Sequence, residues 1–391
     1  MAASVSPASR SARHEAPAPI KPRNNNRLFS VPFIGAPSPN LSHAGGEGKG
    51  FVRATRFGDR LAPKTRAHRR IHVANGSHAE IIAVADIGGT HARFALAGID
   101  RDSRPELGDA VVLRTADYPD LASAYKTFAD KIEGARPRRA SFALACPIRG
   151  ETLKFTNNPW TLRPKTLAAE LGLDEVRLLN DFGAVAHAAA KADPSSFSHV
   201  FGPDRPPRSG VISILGPGTG LGVAQLIIGA DGHRVVETEG GHIDFAPRDA
   251  FEDDLLARLR EKFGRVSIER ILSGPGLAEI FSAHSGVEAP DAPTLWAAAI
   301  AGTDAFARAA LQKFCSCLGA VAGDLALVHG AEAVILAGGL APRIAPLLGA
   351  SAFANSFVAK GRYREMMANI PVWMIVHPQP GLFGAAAAFR P

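Results

Sequence analysis

Residues 81–85, Ile-Ile-Ala-Val-Ala, form a short run with no polar member. Such a run predicts a strand buried on both faces. A polar, glycine-rich turn follows, Asp86-Ile87-Gly88-Gly89-Thr90, and residues 92–99 resume as a second apolar strand. The figure recurs later: an apolar run at 211–215, the turn Gly216-Pro217-Gly218-Thr219-Gly220-Leu221-Gly222, and another run at 223–228. Two strand–glycine turn–strand units predict two related halves. Between them, strands at 140–146 and 176–179 alternate with helical segments such as 121–132. Beyond the second unit the pattern turns helical, over 251–263 and 294–329, and returns to strands at 333–336 and 372–376. Strands and helices mixed in this order predict an α/β fold rather than a bundle or a sandwich.

Residues 1–79 carry no sustained apolar period and are rich in Pro, Ser, Ala, Asn and Arg. A segment of that composition cannot bury enough apolar surface to offset its ordering entropy, so it is read as a disordered tail outside the fold. Its Arg- and Ser-rich, acid-poor character also suits an organelle transit peptide, and an upstream start codon would give the same picture. The tail explains the charge. The 391-residue chain has a formal charge of +7, but residues 1–79 hold 13 basic against three acidic residues. The remainder holds 31 basic against 34 acidic residues and shows no basic stripe, which argues against nucleic acid as a partner.

With 46% hydrophobic residues, the chain can bury a sizeable core. No stretch approaches the roughly 20 uninterrupted apolar residues of a membrane span; the Ala-rich region 296–339 is broken by Asp304, Arg308, Lys313, Asp324 and Glu332. Three cysteines, Cys146, Cys315 and Cys317, are too few for a disulfide framework or a zinc site. A reducing, cytoplasmic compartment fits.

Glycines allow backbone N–H groups to encircle phosphate oxygens. The first turn adds Asp86, suited to a hydrated Mg²⁺, and the hydroxyl of Thr90; the second adds Thr219. Neither is a P-loop, since no Lys-Ser/Thr pair follows, and neither is a dinucleotide fingerprint. Each also fits a tight hairpin whose glycines supply positive φ. A third cluster, Gly338-Gly339, ends the strand at 333–336, where backbone can approach a flat ligand. Asn180-Asp181 ends another strand just before a helix at 182–191. Asp181 there suits either a helix cap or a general base at the carboxyl edge of a sheet. Glu239-Gly240-Gly241-His242, Glu269 and the amides of 156–160, Asn158 among them, could bridge vicinal hydroxyls; singly, each also suits an ordinary surface or turn position.

Taken in order, residues 86–93, 179–181, 216–222, 239–247 and 269–276 resemble the bacterial glucokinases, over a stretch running from about residue 80 to the C-terminus. The Glu-Gly-Gly-His and Ser-Gly-Pro-Gly segments carry most of the specificity. The resemblance implies a two-domain actin-like (ribonuclease H-like) sugar kinase fold with an interdomain cleft. A small domain, 80–190, would be completed by 377–391, and a large one would span 191–376. It implies Asp181 as the base for the sugar 6-hydroxyl, and Asn158, Asn180, Glu239, His242 and Glu269 as sugar ligands. It places Asp86, Gly88, Gly89 and Thr90 at the phosphates and Mg²⁺, Gly218, Thr219, Gly220 and Gly222 at the phosphates from the other side, and Gly338 and Gly339 at the adenosine of ATP. A homodimer is implied as well. His91 departs from the pattern, standing where many relatives have Asn. Two alternatives stay open: a kinase for another hexose or an amino sugar, and a sugar-sensing regulator on the kinase scaffold, which would need a DNA-reading element that the tail does not supply.

Overall fold

The computed structural model describes residues 80–100, 104–155 and 157–389. The tail at 1–79 and Thr156 lie outside the described residues. The chain builds two sheets. In the first, β1 (Glu80–Ile87) pairs antiparallel with β2 (His91–Ile99), whose far side takes the short strands β3 (Glu106–Leu107) and β4 (Val111–Arg114). On its other side β1 pairs parallel with β5 (Arg139–Leu144). A small hairpin, β6 (Leu153–Lys154) with β7 (Thr161–Leu162), stands apart. The edge strand β8 (Glu175–Asn180) runs parallel to β5.

The second sheet repeats this plan. After β9 (Phe197–Phe201), strand β10 (Gly210–Pro217) pairs antiparallel with β11 (Leu221–Gly229), which pairs with β12 (Gly232–Thr238). On its other side β10 runs parallel to β13 (Ala333–Leu336), and β13 to β14 (Val372–Ile375). Strand β9 closes the far edge. Thus both halves have a central apolar strand with an antiparallel hairpin partner on one side and two successive parallel strands on the other, in line with the recurring sequence pattern. Residues 82–85 and 212–217 are buried, which is why these strands read as unbroken apolar runs.

Helices α1 (Leu121–Ala129) and α2 (Pro164–Leu171) cover the outer face of the first sheet, where Phe94, Phe128 and Phe142 form an aromatic core. Helix α1 ends at Ala129, three residues short of its sequence-predicted limit, with Asp130 as its cap. Helix α3 (Asp181–Lys191) follows β8 directly. The second half carries α4 (Ala250–Phe263), α5 (Gly276–Ser285), α6 (Ala292–Ala301) and α7 (Ala305–His329). The pattern over 294–329 predicted one helix; it is two, because Gly302 takes φ 69° and Asp304 starts a new helix by accepting the Ala307 N–H at 2.7 Å. Helix α7 is long and apolar enough to cross a membrane by length and composition. It is a core helix here, with 67% of its most apolar window buried, and it holds Cys315 and Cys317 inside. Short helices α8 (Ala341–Leu348), α9 (Phe353–Val358) and α10 (Arg364–Ala368) lead to β14, and α11 (Pro380–Ala388) ends the described chain.

Two helices join the halves. Helix α11 buries Leu382, Ala385 and Ala386 against Ile82 and Val84 of the first sheet, and its Phe383 packs in a second cluster with Ile212 and Ile214 of the other. Helix α3 presents Val185, Ala186 and Ala188 to that same cluster. The two helices touch backbone to backbone: a methyl group on Gly384 would stand 1.7 Å from the Ala184 carbonyl oxygen.

Candidate active site

The β8–α3 junction sets the stereochemistry of the site. Asn180 is the cap of α3: its Oδ1 accepts the Phe182 N–H at 2.9 Å and the Gly183 N–H at 3.3 Å. Asp181 is therefore the first residue inside the helix rather than its cap. Its Oδ1 accepts the N–H of its neighbour, Phe182, at 2.8 Å, and its own N–H adds a weaker backbone bond. Burial pushes the Asp181 carboxyl up to about 6; the Phe182 N–H opposes the rise, and the negative charges of Asp86 and Glu239 add to it. The thiol of Cys146, two residues beyond β5, is pushed up to about 11 by burial and by Asp181 and Glu239. These mutual influences bring Asp86, Cys146, Asp181 and Glu239 into one acidic cluster. A carboxylate near 6, in a cluster of like charge, is poised to take a proton close to neutral pH.

The first glycine-rich turn stands beside it. Gly88 donates its N–H to the His91 carbonyl at 3.0 Å, and Thr115 Oγ1 donates to the Gly89 carbonyl at 2.7 Å. Asn157 presses on Gly89, where a methyl group would come within 2.8 Å of its Cβ. Asn158 is buried, with Oδ1 accepting the Trp160 N–H at 2.9 Å and Nδ2 reaching the Gly88 carbonyl at 3.5 Å. Its oxygen thus serves its own loop and its nitrogen reaches the glycine-rich turn. Thr90 is exposed. Asp86 lies against the first turn of α11, touching Gly381, with Arg93 at 3.4 Å; burial raises its carboxyl, and Arg93 pulls it back down.

The second turn is built from backbone. Gly218 donates to the Gly220 carbonyl and accepts from the Gly274 N–H, both at 2.7 Å, which ties the turn to the Ser-Gly-Pro-Gly segment. Glu269 Oε2 accepts the Leu221 N–H at 2.9 Å and fills the space a side chain on Gly220 would need. Thr219, Glu269, Arg270 and Ser273 line a small cavity of about 80 Å³. Gly338, at φ 83°, abuts the Pro217 carbonyl, and Gly339 follows with open space around it. Gly222 lies under the Phe182 ring, so the second turn meets the residue next to Asp181. Glu239 and His242 sit 4.0 Å apart and are more than half exposed.

The positive-φ explanation of the two turns is overturned. None of Gly88, Gly89, Gly218, Gly220 and Gly222 has positive φ. Gly89, Gly220 and Gly222 are glycine because Asn157, Glu269 and Phe182 occupy the side-chain space. Gly88 and Gly218 have neither reason, with nothing closer than 3.7 Å and 4.0 Å. The space on their side-chain side is open, which leaves room for a ligand to come close to the backbone there. Among the described residues no group of three or more His, Cys, Asp or Glu is arranged to hold a metal. A single carboxylate, Asp86, beside the first turn fits Mg²⁺, which is held by one or two carboxylates together with substrate phosphates and water.

Sequence reasoning missed three participants: Cys146, Phe182 and Glu237. The Glu237 Oε1 accepts the Asn180 N–H at 2.8 Å. The alternation His233, Val235, Glu237 along β12 marked one face, but nothing local named its partner.

A sequence model of the glucokinase family matches residues 83–391. The chain is 52% identical over 316 residues to a glucokinase of Zymomonas mobilis, covering 79% of this chain and 97% of that protein. Among solved structures, a glucokinase from an Antarctic psychrotroph superposes with a TM-score of 0.69 at 32% identity, over 79% of this chain and 98% of that one. A glucokinase from Balamuthia mandrillaris, solved with glucose, shares the fold at 20% identity and a TM-score of 0.65, over 80% of this chain and 94% of that one. The fold is the actin-like fold of the sugar kinases, and the chain belongs to the glucokinase family.

Proposed function

We propose that the chain transfers the γ-phosphoryl group of ATP to the 6-hydroxyl of D-glucose, giving glucose 6-phosphate and ADP, with Asp181 as the general base. The activity is that of the family to which the chain belongs. The observation that carries the role of Asp181 is the division of labour at the β8–α3 junction. Asn180 takes the capping bonds, which leaves the Asp181 carboxylate with the N–H groups of Phe182 and of its own residue, and burial pushes its carboxyl up to about 6. Ionised above that pH, Asp181 accepts the proton of the 6-hydroxyl as its oxygen attacks the phosphorus in line. Glu239, His242 and Glu269 hold the remaining hydroxyls, joined by the second N–H of the Asn180 amide and by Asn158. Gly88, Gly89 and Thr90 face the phosphates from one domain, and Gly218, Thr219, Gly220 and Gly222 from the other. Gly338 and Gly339 border the adenosine. Mg²⁺, held through Asp86 and water, would neutralise charge on the β- and γ-phosphates. We assign the closing bodies to 80–190 with 377–391, and to 191–376. The family resemblance further implies a cytoplasmic homodimer acting on small molecules, which light scattering and cell fractionation test.

The test is steady-state kinetics of Asp181→Asn. Removing a general base costs about 10²- to 10⁴-fold in turnover, and because the lost interaction belongs to the transition state, kcat falls while the KM values hold. An unchanged kcat removes Asp181 as the base. A panel of hexoses and amino sugars at matched concentrations tests the substrate: faster turnover on a sugar other than glucose moves the substrate and leaves the base in place.

A further inference from the structure

Glu237 lies outside both glycine-rich turns, yet its carboxylate is committed to the peptide that precedes Asp181. Its Oε1 accepts the Asn180 N–H at 2.8 Å. Strand β8 is the edge of its sheet, so an outward N–H at its end has no strand to pair with, and Glu237 supplies the acceptor. The carboxylate also stands at the N-terminus of α3, where the helix dipole favours negative charge. The helix leaves room for it: a methyl group on Gly183 would stand 2.5 Å from the same Oε1 and 2.9 Å from Glu237 Cγ. Asn180 and Gly183 therefore form a receptor around the base, and the group they receive comes from the other sheet.

The strand that carries Glu237 is the one that leads into Glu239 and His242. Strand β12 lies along α3 and makes a second polar contact four residues back, where His233 Nε2 meets His187 Nδ1 at 2.8 Å. The sugar cluster and the base thus hang from one strand–helix contact, and the Glu237 bond is its end nearest the reaction.

We infer that Glu237 is a positioning residue for Asp181. By holding the Asn180 N–H, it fixes the β8–α3 junction relative to β12, and with it the direction from which the Asp181 carboxylate meets the sugar hydroxyl. The inference rests on Asp181 being the base. Glu237 touches no reacting atom; it acts through Asn180 alone. A bond that only satisfied an edge donor would affect stability and leave turnover alone, whereas a positioning bond affects kcat.

The experiment compares Glu237→Ala, Glu237→Gln, Gly183→Ala and Asp181→Asn in the full-length chain, by kcat, by KM for glucose and ATP, and by thermal midpoint. Glu237→Ala is expected to lower kcat about 10- to 100-fold, the scale of a small misplacement of a catalytic group, with KM for ATP unchanged and a rise in KM for glucose, through Asn180, smaller than the fall in kcat. Glu237→Gln restores turnover, because its amide oxygen accepts the same N–H. Gly183→Ala pushes the carboxylate off its donor and lowers kcat as Glu237→Ala does, while its midpoint falls less than that of Glu237→Ala, because the helix preference of Ala over Gly offsets part of the lost bond. A wild-type kcat in Glu237→Ala, or a loss in Glu237→Gln equal to that in Glu237→Ala, overturns the inference. Full turnover in Asp181→Asn removes the base itself and overturns both readings, a result distinct from failure of Glu237 alone.

Discussion

The two glycine-rich turns occupy matching places in matching sheets and are built for different work. The first brings a charge: Asp86 sits at the end of β1, beside Arg93 and the start of α11, and its field reaches Asp181. The second brings no charge of its own. It is held by backbone bonds from Gly274 and by Glu269, with the Phe182 ring seated on Gly222. On the proposed reading, one repeat of the fold carries the proton and metal chemistry, and the other offers a neutral turn whose shape depends on its partners. Damage to the second turn should therefore appear first as lost geometry, and damage to the first as lost charge.

The sharpest contrast is Gly222→Ala against Gly88→Ala. A methyl group on Gly222 would fall 1.8 Å from the Phe182 ring, which must leave. Overpacking of this kind costs about 1–3 kcal/mol, and displacing the neighbour of Asp181 should lower kcat about 100-fold. A methyl on Gly88 meets nothing nearer than 3.7 Å, so the melting temperature should hold. Its effect falls on the phosphates, as a rise in KM for ATP of about tenfold, equivalent to about 1.4 kcal/mol. If thermal melts show equal losses for both, the two turns are not divided in this way.

Asp86→Asn removes the charge of the first turn at constant shape. Loss of one carboxylate near a metal should weaken Mg²⁺ dependence and activity about 10- to 100-fold, read from a Mg²⁺ titration of turnover. Thr219→Ala, in the second turn, should leave that titration unchanged. The same substitution bears on pH. The Asp181 carboxyl is pushed up to about 6, partly by Asp86, so kcat/KM should rise with pH through about 6 in the native chain. Removing a like charge lowers a carboxyl's proton affinity, so the acidic limb of Asp86→Asn should move to lower pH. A limb that stays in place separates Asp86 from the base.

The duplication was legible because its central strands are short unbroken apolar runs, a pattern that survives without any knowledge of neighbours. The reason for each glycine was not. Gly220 answers to Glu269 and Gly222 to Phe182, both distant in sequence, so local turn chemistry offered positive φ as the explanation where packing is the cause. Helices 292–301 and 305–329 merged in the pattern because their apolar positions continue across the break; Gly302 and Asp304 held the stop and start signals. Asn180 and Asp181 were both visible as polar residues at a strand end, but which of them caps α3 depends on one residue of register. Glu237 was invisible as a partner for Asn180, since 57 residues separate them and only the crossing of β12 over α3 joins them.

The smallest expected effect concerns stability, and its sign follows from the same buried charge. In the folded chain the Asp181 carboxyl titrates near 6, above its value of 3.8 when unfolded, so the native state favours the protonated form. Below pH 3.8 both states are protonated and Asp181 contributes nothing to pH dependence. As pH rises through 6 the carboxylate ionises in an environment that disfavours it, and folding is destabilised by the difference. At about 1.4 kcal/mol for each unit, and discounted for its partial exposure, the cost above pH 7 is about 1–2 kcal/mol. Asp181→Asn has no such charge. It should therefore melt higher than the native chain at pH 8 and at the same temperature at pH 4, while Thr219→Ala, in the neutral turn, should show the same offset at both. A variant that is inactive and more stable only at high pH marks Asp181 as a group whose placement serves the reaction against the fold; equal midpoints at pH 8 would mean that the charge is well accommodated and that its poise near 6 has another cause.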